Sequence, residues 1–410
     1  MIAAVSIGGV VRVLHLTVEY PPVIYGGLGT AVGGLVQASA AAGVDVCVLL
    51  VNDGAGHGYR PAAAASPALN PEVEGEVPVV ISAWATAYKQ ASALIRNWRP
   101  HVLHLHVFWL WPLVARLQAD SDVAVVYTVH SLDRAEYEIG HGPPECLTQW
   151  ATQAAAIRGA DRVLALTRSE ALLIEEYCPA ASRKTRIVGN GITLSHAARS
   201  SQPAHSRSLM VLFSGRFVDR KGVRDLLHAI PEVLTVAPGT RFILAGGHRG
   251  CTPQEMDSWW RPGPLRGAAQ VHFTGWLDAG GMRDWYRRAH ILVVPSWYEP
   301  FGMVVLEGMQ HHLAIAAAAV GGPAEILKHE HTGLLFTPRD PHAIADALLR
   351  LITNPALRSR IAAAGRADVA RRWTWPQIIP LIRSAYHECT HAAHGAAGRG
   401  DQQTSPRRAA

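Results

Sequence analysis

The sequence predicts an α/β fold in which two doubly wound parallel-sheet domains face each other across a crevice. Three observations carry this. Short apolar runs rich in Val, Ile and Leu, as in strands buried on both faces, alternate with helical stretches along most of the chain. The alternation stops at a polar, Ser-rich, unpatterned stretch, 195–208, and then restarts. A chain of 410 residues is also long enough for two domains that each bury a core.

The first series opens with VRVLHLTV (11–18), a Gly-rich turn and a helix at about 27–42. VDVCVLLV (44–51) follows, then a loose Ala/Pro-rich segment, 53–75. Strands at VPVVI (77–81), HVLHLH (101–106), VAVVYTVH (123–130), DRVLAL (161–166) and RIVGN (186–190) complete it. The second series runs LMVLFSG (209–215), TRFILAGG (240–247), QVHFTG (270–275), HILVVP (290–295), LAIAAAA (313–319) and GLLF (333–336). Helices at about 340–352 and 356–370 come next, and a last one, about 374–389, starts after Trp373-Thr374-Trp375. The boundaries drawn are therefore 1–194 for the first domain, 195–208 for the linker, 209–373 for the second domain and 374–390 for the last helix. The tail, 391–410, is expected to be disordered. No repeat of 20–50 residues is present, so the halves share an architecture and not a sequence.

Composition narrows the function classes. Hydrophobic content of 49% and charged content of 17% are globular values, and no apolar run reaches the ~20 residues of a spanning helix. The start, MIAAVSIGGVVRV, lacks a basic n-region. A cytoplasmic protein without integral membrane association is expected. Five scattered cysteines, without a CxxC pair, argue against a disulfide framework and a zinc site. The net charge of +6 permits an anionic ligand, but the basic residues are spread, so nucleic acid is not expected. Oligomeric state is left open.

The most informative segment is SWYEPFGMVVLEG (296–308), which follows the strand HILVVP and runs into a helix. Glu299 then sits at the carboxyl end of a strand, where open α/β sheets bind ligands. Glu307 lies one to two turns into the helix. The amides of Gly302, Met303, Val304 and Val305 would point from the helix start into the crevice, a seat for phosphate. Two carboxylates able to accept sugar hydroxyls beside an anion seat suggest a nucleotide-sugar site.

Other segments add to it. In SGRFVDRKG (214–222), Arg216 and Lys221 stand between Gly215 and Gly222 at a strand-to-helix turn, two cations suited to a pyrophosphate; solvated surface cations are the alternative. In EYPPVIYGGLGTAVGGL (19–35), Gly26, Gly27 and Gly29 let backbone approach a ligand, whereas Gly33 and Gly34 fit helix packing. The spacing is not GxGxxG, so dinucleotide binding is not supported. His130 ends a strand and can reach a sugar hydroxyl; His104, His106 and His57 are left to structure. In VGGPAEI (320–326), and at Asn190-Gly191, ligand contact and a tight turn are both open. Asp120-Ser121-Asp122 matches a DxD metal signature but falls on the wrong side of its strand, so no catalytic metal is expected. Ser-His-Asp, Walker A and HExxH patterns are absent.

Taken together and in this order, EYPPVIYGGLG, YTVH, VGNGI, SGRFVDRKG, LAGG, FTGW, EPFGMVVLEGM and VGGPAEI resemble the family 4 glycosyltransferases of the GT-B fold, near the glycogen and maltose-1-phosphate synthases. The resemblance implies two Rossmann-like domains with a C-terminal helix crossing back. It implies a retaining transferase that needs no metal and no cofactor beyond its nucleoside diphosphate sugar donor. Arg216 and Lys221 would hold the diphosphate, Glu299 the sugar hydroxyls, and Phe301 and Gly302 backbone would lie alongside. Val304 and Val305 amides would meet the phosphate, Glu307 the ribose, Trp276 the base and His130 the sugar's 6-position. Gly26, Gly27 and Gly29 would face diphosphate and acceptor, with the leaving phosphate taking the acceptor's proton. Glycogen synthases carry Lys where this chain has Ile24, and the Pro-Asn-Gly-Val/Ile-Asp pattern reads Gly189-Asn190-Gly191-Ile192-Thr193 here. These departures and the Ala/Pro-rich segment point to a small, specialised acceptor of natural-product type, with glucan synthesis and a non-catalytic sugar-nucleotide binder as alternatives.

Overall fold

In the computed structural model, residues 10–22, 24, 26–52, 77–194, 209–247 and 250–400 are described, those from 391 by backbone alone. The linker 195–208, the whole 53–75 segment, including His57, and residues 401–410 lie outside them.

The first sheet contains β1 (Arg12–Thr17), β2 (Asp45–Val51), β3 (Val79–Ser82), β4 (Val102–Leu105), β5 (Ala124–Val129), β6 (Arg162–Ala165) and β7 (Thr185–Ile187). The second contains β8 (Met210–Gly215), β9 (Arg241–Gly246), β10 (Val271–Gly275), β11 (Ile291–Val294), β12 (Ala314–Ala318) and β13 (Leu334–Phe336). Their orders are β3-β2-β1-β4-β5-β6-β7 and β10-β9-β8-β11-β12-β13, and every pairing is parallel. Each is the doubly wound order, reversing direction between β1 and β4 or between β8 and β11. Strands such as Val102–Leu105 and Ile291–Val294 are buried at every residue, which is why they read as unbroken apolar runs.

The last helix ties the halves together. Trp375, Ile378, Ile379, Ile382 and Tyr386 join one apolar core with residues of both domains. Gly34 lies against this helix, where a Cβ would come within 2.6 Å of the Trp375 indole. Glu388 pairs with Arg162 at 3.0 Å and Arg186 at 2.7 Å. The helix therefore crosses back onto the N-terminal domain, as the resemblance implies. It spans Trp375–Gly400 and so runs past the boundary drawn at 390. The segment HAAHGAAGRG contains no proline, and its alanines continue a helix already anchored by packing.

Candidate functional site

The crevice lies at the carboxyl ends of both sheets, beside the two points of strand reversal. From the end of β8, Gly215 leads to Arg216 and then to the turn that closes at Lys221. Gly222 takes φ +67°, and a Cβ there would sit 1.9 Å from the Pro295 carbonyl oxygen just beyond β11. The turn is thus pressed onto the neighbouring strand end, which brings Lys221 to Glu299.

Lys221 Nζ donates to Glu299 Oε2, and Ser296 Oγ donates to the same oxygen at 3.1 Å. Burial favours the neutral form of Glu299, but the charges of Lys221 and Arg220 outweigh it and hold the carboxyl below its usual range. For Lys221 burial wins, and its pKa lies below the ordinary lysine value despite Glu299. Arg216 is exposed and makes no hydrogen bond or ion pair with any described residue. Desolvation by its surroundings and the neighbouring Arg220 lower its pKa, opposed by Glu136 and Glu19 of the N-terminal domain and by Glu299.

The second element of the candidate site is the helix Met303–Gln310, capped by Gly302 at φ +93°. Val305 N–H donates to Gly302 O at 2.9 Å. Its amide is therefore engaged within the first turn. The amides of Gly302, Met303 and Val304 meet no acceptor among the described residues. Glu307 accepts from Tyr286 OH at 2.7 Å; burial raises its pKa and that hydrogen bond opposes the rise. Phe301 is buried edge-to-face on Trp373, so only its backbone is available to a ligand.

The paired glycines of VGGPAEI hold this loop in place. A Cβ on Gly321 would lie 2.3 Å from Glu299 O, and one on Gly322 would lie 1.8 Å from Phe301 O. Gly322 N–H donates to Glu299 O at 2.9 Å. Close packing against the Glu299–Phe301 backbone thus explains a motif that the sequence left open.

From the N-terminal domain, the helix Gly27–Ala41 points its start at the same place. A Cβ on Gly27 would be 3.8 Å from Met303 Cγ, and nothing lies within 4 Å of one on Gly26. Gly29 is already engaged, its amide donating to Glu19 Oε2 at 3.3 Å. Sequence reasoning missed Glu19, because a carboxylate ten residues ahead has no recognisable capping spacing. Gly33 packs on Pro21, whose Cγ would be 2.6 Å from a Cβ there.

His130 follows β5 and is half-buried. Its Nε2 lies 3.3 Å from His106 Nδ1. Asn190 is buried at the domain junction, and the loop that carries it packs on Trp373 and Trp375. Trp276 follows β10 and is half-buried.

The structure adds a set of contacts between domains. Arg220 pairs with Glu136 at 2.8 Å. Tyr298 OH accepts from Leu132 N–H at 3.0 Å and donates to Glu170 at 2.9 Å. Thr167 Oγ1 donates to Pro300 O at 3.1 Å. Glu325 accepts from the amides of Arg168 and Ser169, at 2.9 and 2.7 Å, and so caps a helix of the other domain. Tyr298 and Pro300 flank Glu299, so these contacts between the domains hold the segment that carries that carboxylate.

Among the described residues one histidine group has the spacing of metal ligands. Ring nitrogens of His15, His104 and His106 lie within 4.8 Å of one another, but His104 spends both on Tyr386 OH and Thr128 Oγ1, each at 2.7 Å. In the Asp120-Ser121-Asp122 turn, Asp120 bonds Tyr88 OH and Ser121 bonds Leu117 O at 2.7 Å.

Two family models match the chain: "Glycosyltransferase Family 4" over residues 25–196 and "Glycosyl transferases group 1" over 208–354. The chain is 28% identical to a glycogen synthase of Mycobacterium tuberculosis, with 97% of each chain covered. It is also 28% identical to a D-inositol 3-phosphate glycosyltransferase of Acidothermus cellulolyticus, over 78% of this chain and 74% of that one. Among solved structures, a sucrose-phosphate synthase of Thermosynechococcus elongatus superposes with a TM-score of 0.75 at 22% identity, covering 93% of this chain and all of that one. HepE of Anabaena, in complex with UDP and glucose, superposes with a TM-score of 0.72 at 17% identity over 92% of this chain.

Proposed function

The chain belongs to the family 4 glycosyltransferases of the GT-B fold, and from that premise we propose that it moves a glucose-type hexose from a nucleoside diphosphate sugar to a carbohydrate hydroxyl. One observation carries the reading. A buried Lys221–Glu299 pair stands beside Arg216 and the amides of Gly302, Met303 and Val304, none of which has a hydrogen-bond partner among the described residues. The cations and amides suit a diphosphate whose charge grows as its bond to the sugar breaks. Glu299, held ionised, accepts hydrogen bonds from sugar hydroxyls. Lys221 has three donors and can keep Glu299 while reaching a phosphate oxygen. Glu307, beyond the anion seat, is placed to read the ribose.

Retention of the anomeric configuration is part of the proposal. Inversion needs a base opposite the leaving group, and the crevice carboxylates are engaged: Glu299 with Lys221, Glu307 with Tyr286, Glu136 with Arg220 and Glu19 with Gly29 N–H. The leaving phosphate is then the acceptor for the incoming hydroxyl's proton. Arg216 and Lys221 offer the positive charge that a metal supplies elsewhere, which supports metal-independent transfer.

For the acceptor, a glucan or sugar-phosphate hydroxyl has more support than a natural-product aglycone. Match over 97% of both chains to a glycogen synthase, and the fold of a sucrose-phosphate synthase, favour it; no relative named here points to specialised metabolism. The test is nucleotide release from UDP-, ADP- and GDP-glucose with maltose, glycogen or glucose 1-phosphate as acceptor. Turnover with one carbohydrate acceptor is expected; release only with aglycones would restore the small-acceptor reading.

A further inference from the structure

We propose that His106 and His15 are positioning residues that fix His130 as a hydrogen-bond donor, with its proton on Nδ1, toward the crevice. The inference rests on the transferase reading only for its kinetic arm. His15 on β1 and His106 just after β4 flank the strand reversal, and His130 follows β5. His15 Nδ1 lies 3.0 Å from His106 Nε2, and His106 Nδ1 lies 3.3 Å from His130 Nε2. Three imidazoles thus form one chain from the sheet interior to the site.

The far end sets the direction. His15 is fully buried, and its Nε2 has no partner among the described residues. A proton there would leave a buried N–H unsatisfied, which proteins avoid more strictly than a bare acceptor. The proton of His15 therefore sits on Nδ1 and is donated to His106 Nε2. His106, also buried, keeps its single proton on Nδ1 and donates it to His130 Nε2. His130, neutral like the others, then carries its proton on Nδ1, which has no partner among the described residues. Burial supports neutrality throughout, lowering His15 to about 3, His130 to about 4 and His106 well below 6.5.

This assigns His130 a role and removes another. An Nδ1–H can donate to a sugar or phosphate oxygen, but with Nε2 occupied by His106 the ring has no free lone pair to act as base.

The test is long-range ¹H–¹⁵N NMR of the histidine rings in the full chain at pH 7.5, with His130 assigned by loss of its signals in His130→Gln. The Nδ1–H tautomer is expected at His15, His106 and His130. In His106→Leu, the single tautomer at His130 should give way to a mixture. Turnover should drop about tenfold, roughly the worth of one hydrogen bond, with little change in donor KM. His106→Gln, which keeps a donor toward His130, should recover part of it. A Nε2–H tautomer at His130 in the wild type overturns the inference whatever the activity. So does a shift of these signals with one equivalent of Zn²⁺, which would make the cluster a metal site. If the wild type transfers no sugar, the NMR result still stands, and the transferase reading alone fails.

Discussion

The two sheets share a strand order, yet they bring opposite chemistry to the crevice. At the reversal between β8 and β11 the C-terminal domain presents charge: Arg216, Lys221 and Glu299, with Glu307 close behind. At the reversal between β1 and β4 the N-terminal domain presents chiefly neutral groups, glycines at a helix start and a chain of histidines, with the Glu19 carboxylate turned to the Gly29 amide and Glu136 paired to Arg220. A doubly wound fold supplies the position of a site, and the strand-end residues decide what it holds. Here the charged edge fits the departing diphosphate, while the neutral edge suits hydroxyl groups, which need shape and hydrogen bonds.

The largest effects should come from the charged edge. Lys221→Ala, Arg216→Ala and Glu299→Ala should each lower kcat by roughly 10²–10³, as for groups that stabilise charge in the transition state. Steady-state kinetics of nucleotide release would check this, and wild-type-like rates in all three would break the contrast between the edges.

Next comes the packing behind Glu299. Gly322→Ala places a Cβ where the Phe301 carbonyl oxygen lies, 1.8 Å away. Destabilisation on the order of 2 kcal/mol is expected, together with loss of activity as the Glu299 loop is displaced. Thermal unfolding and kinetics should therefore move together; a changed Tm with intact turnover would show that the loop tolerates the shift.

A comparable effect, with a pH signature, is expected at Glu170. Burial, with help from Glu325 and Glu299 and against the Tyr298 hydrogen bond, raises its carboxyl from 4.5 to about 7. The folded chain thus keeps a proton that the unfolded chain has already released. Stability from this group is full below the unfolded value and is lost as pH rises through about 7. Glu170→Gln retains an acceptor for Tyr298 OH. At pH 8 it should stabilise by on the order of 2 kcal/mol, and by much less at pH 5. Equal shifts at both pH values would remove the link between that carboxyl and closure.

The smallest effect belongs to Glu325, whose carboxylate caps the helix Arg168–Tyr177 across the interface. Glu325→Ala should cost about 1 kcal/mol, read by chemical denaturation.

Much of this was legible in the chain. Eleven of the thirteen strands described fall within an apolar run read from the sequence, because strands buried on both faces leave an unbroken signal; Val79–Ser82 and Thr185–Ile187, which are only partly buried, overrun theirs by one residue. Lys221 and Glu299 were legible through their positions at strand-to-helix turns. Glu19, Arg220, Glu325 and the His15–His106–His130 chain were not. Their partners lie 10, 84, 157, and 91 and 24 residues away, and no local period encodes a contact across a sheet or between domains. The turn bond from Val305 N–H to Gly302 O was not legible either, because a free-amide count from the helix start does not see it.

The central claim is that the charged edge holds a nucleoside diphosphate sugar for transfer with retention. Its most direct test follows nucleotide release and product anomer by NMR, with UDP-, ADP- and GDP-glucose and a malto-oligosaccharide or sugar-phosphate acceptor, for the wild type and Lys221→Ala. An α-linked product, formed by the wild type and lost in the variant, is the predicted result. A β-linked product, or equal release by both proteins, would contradict it.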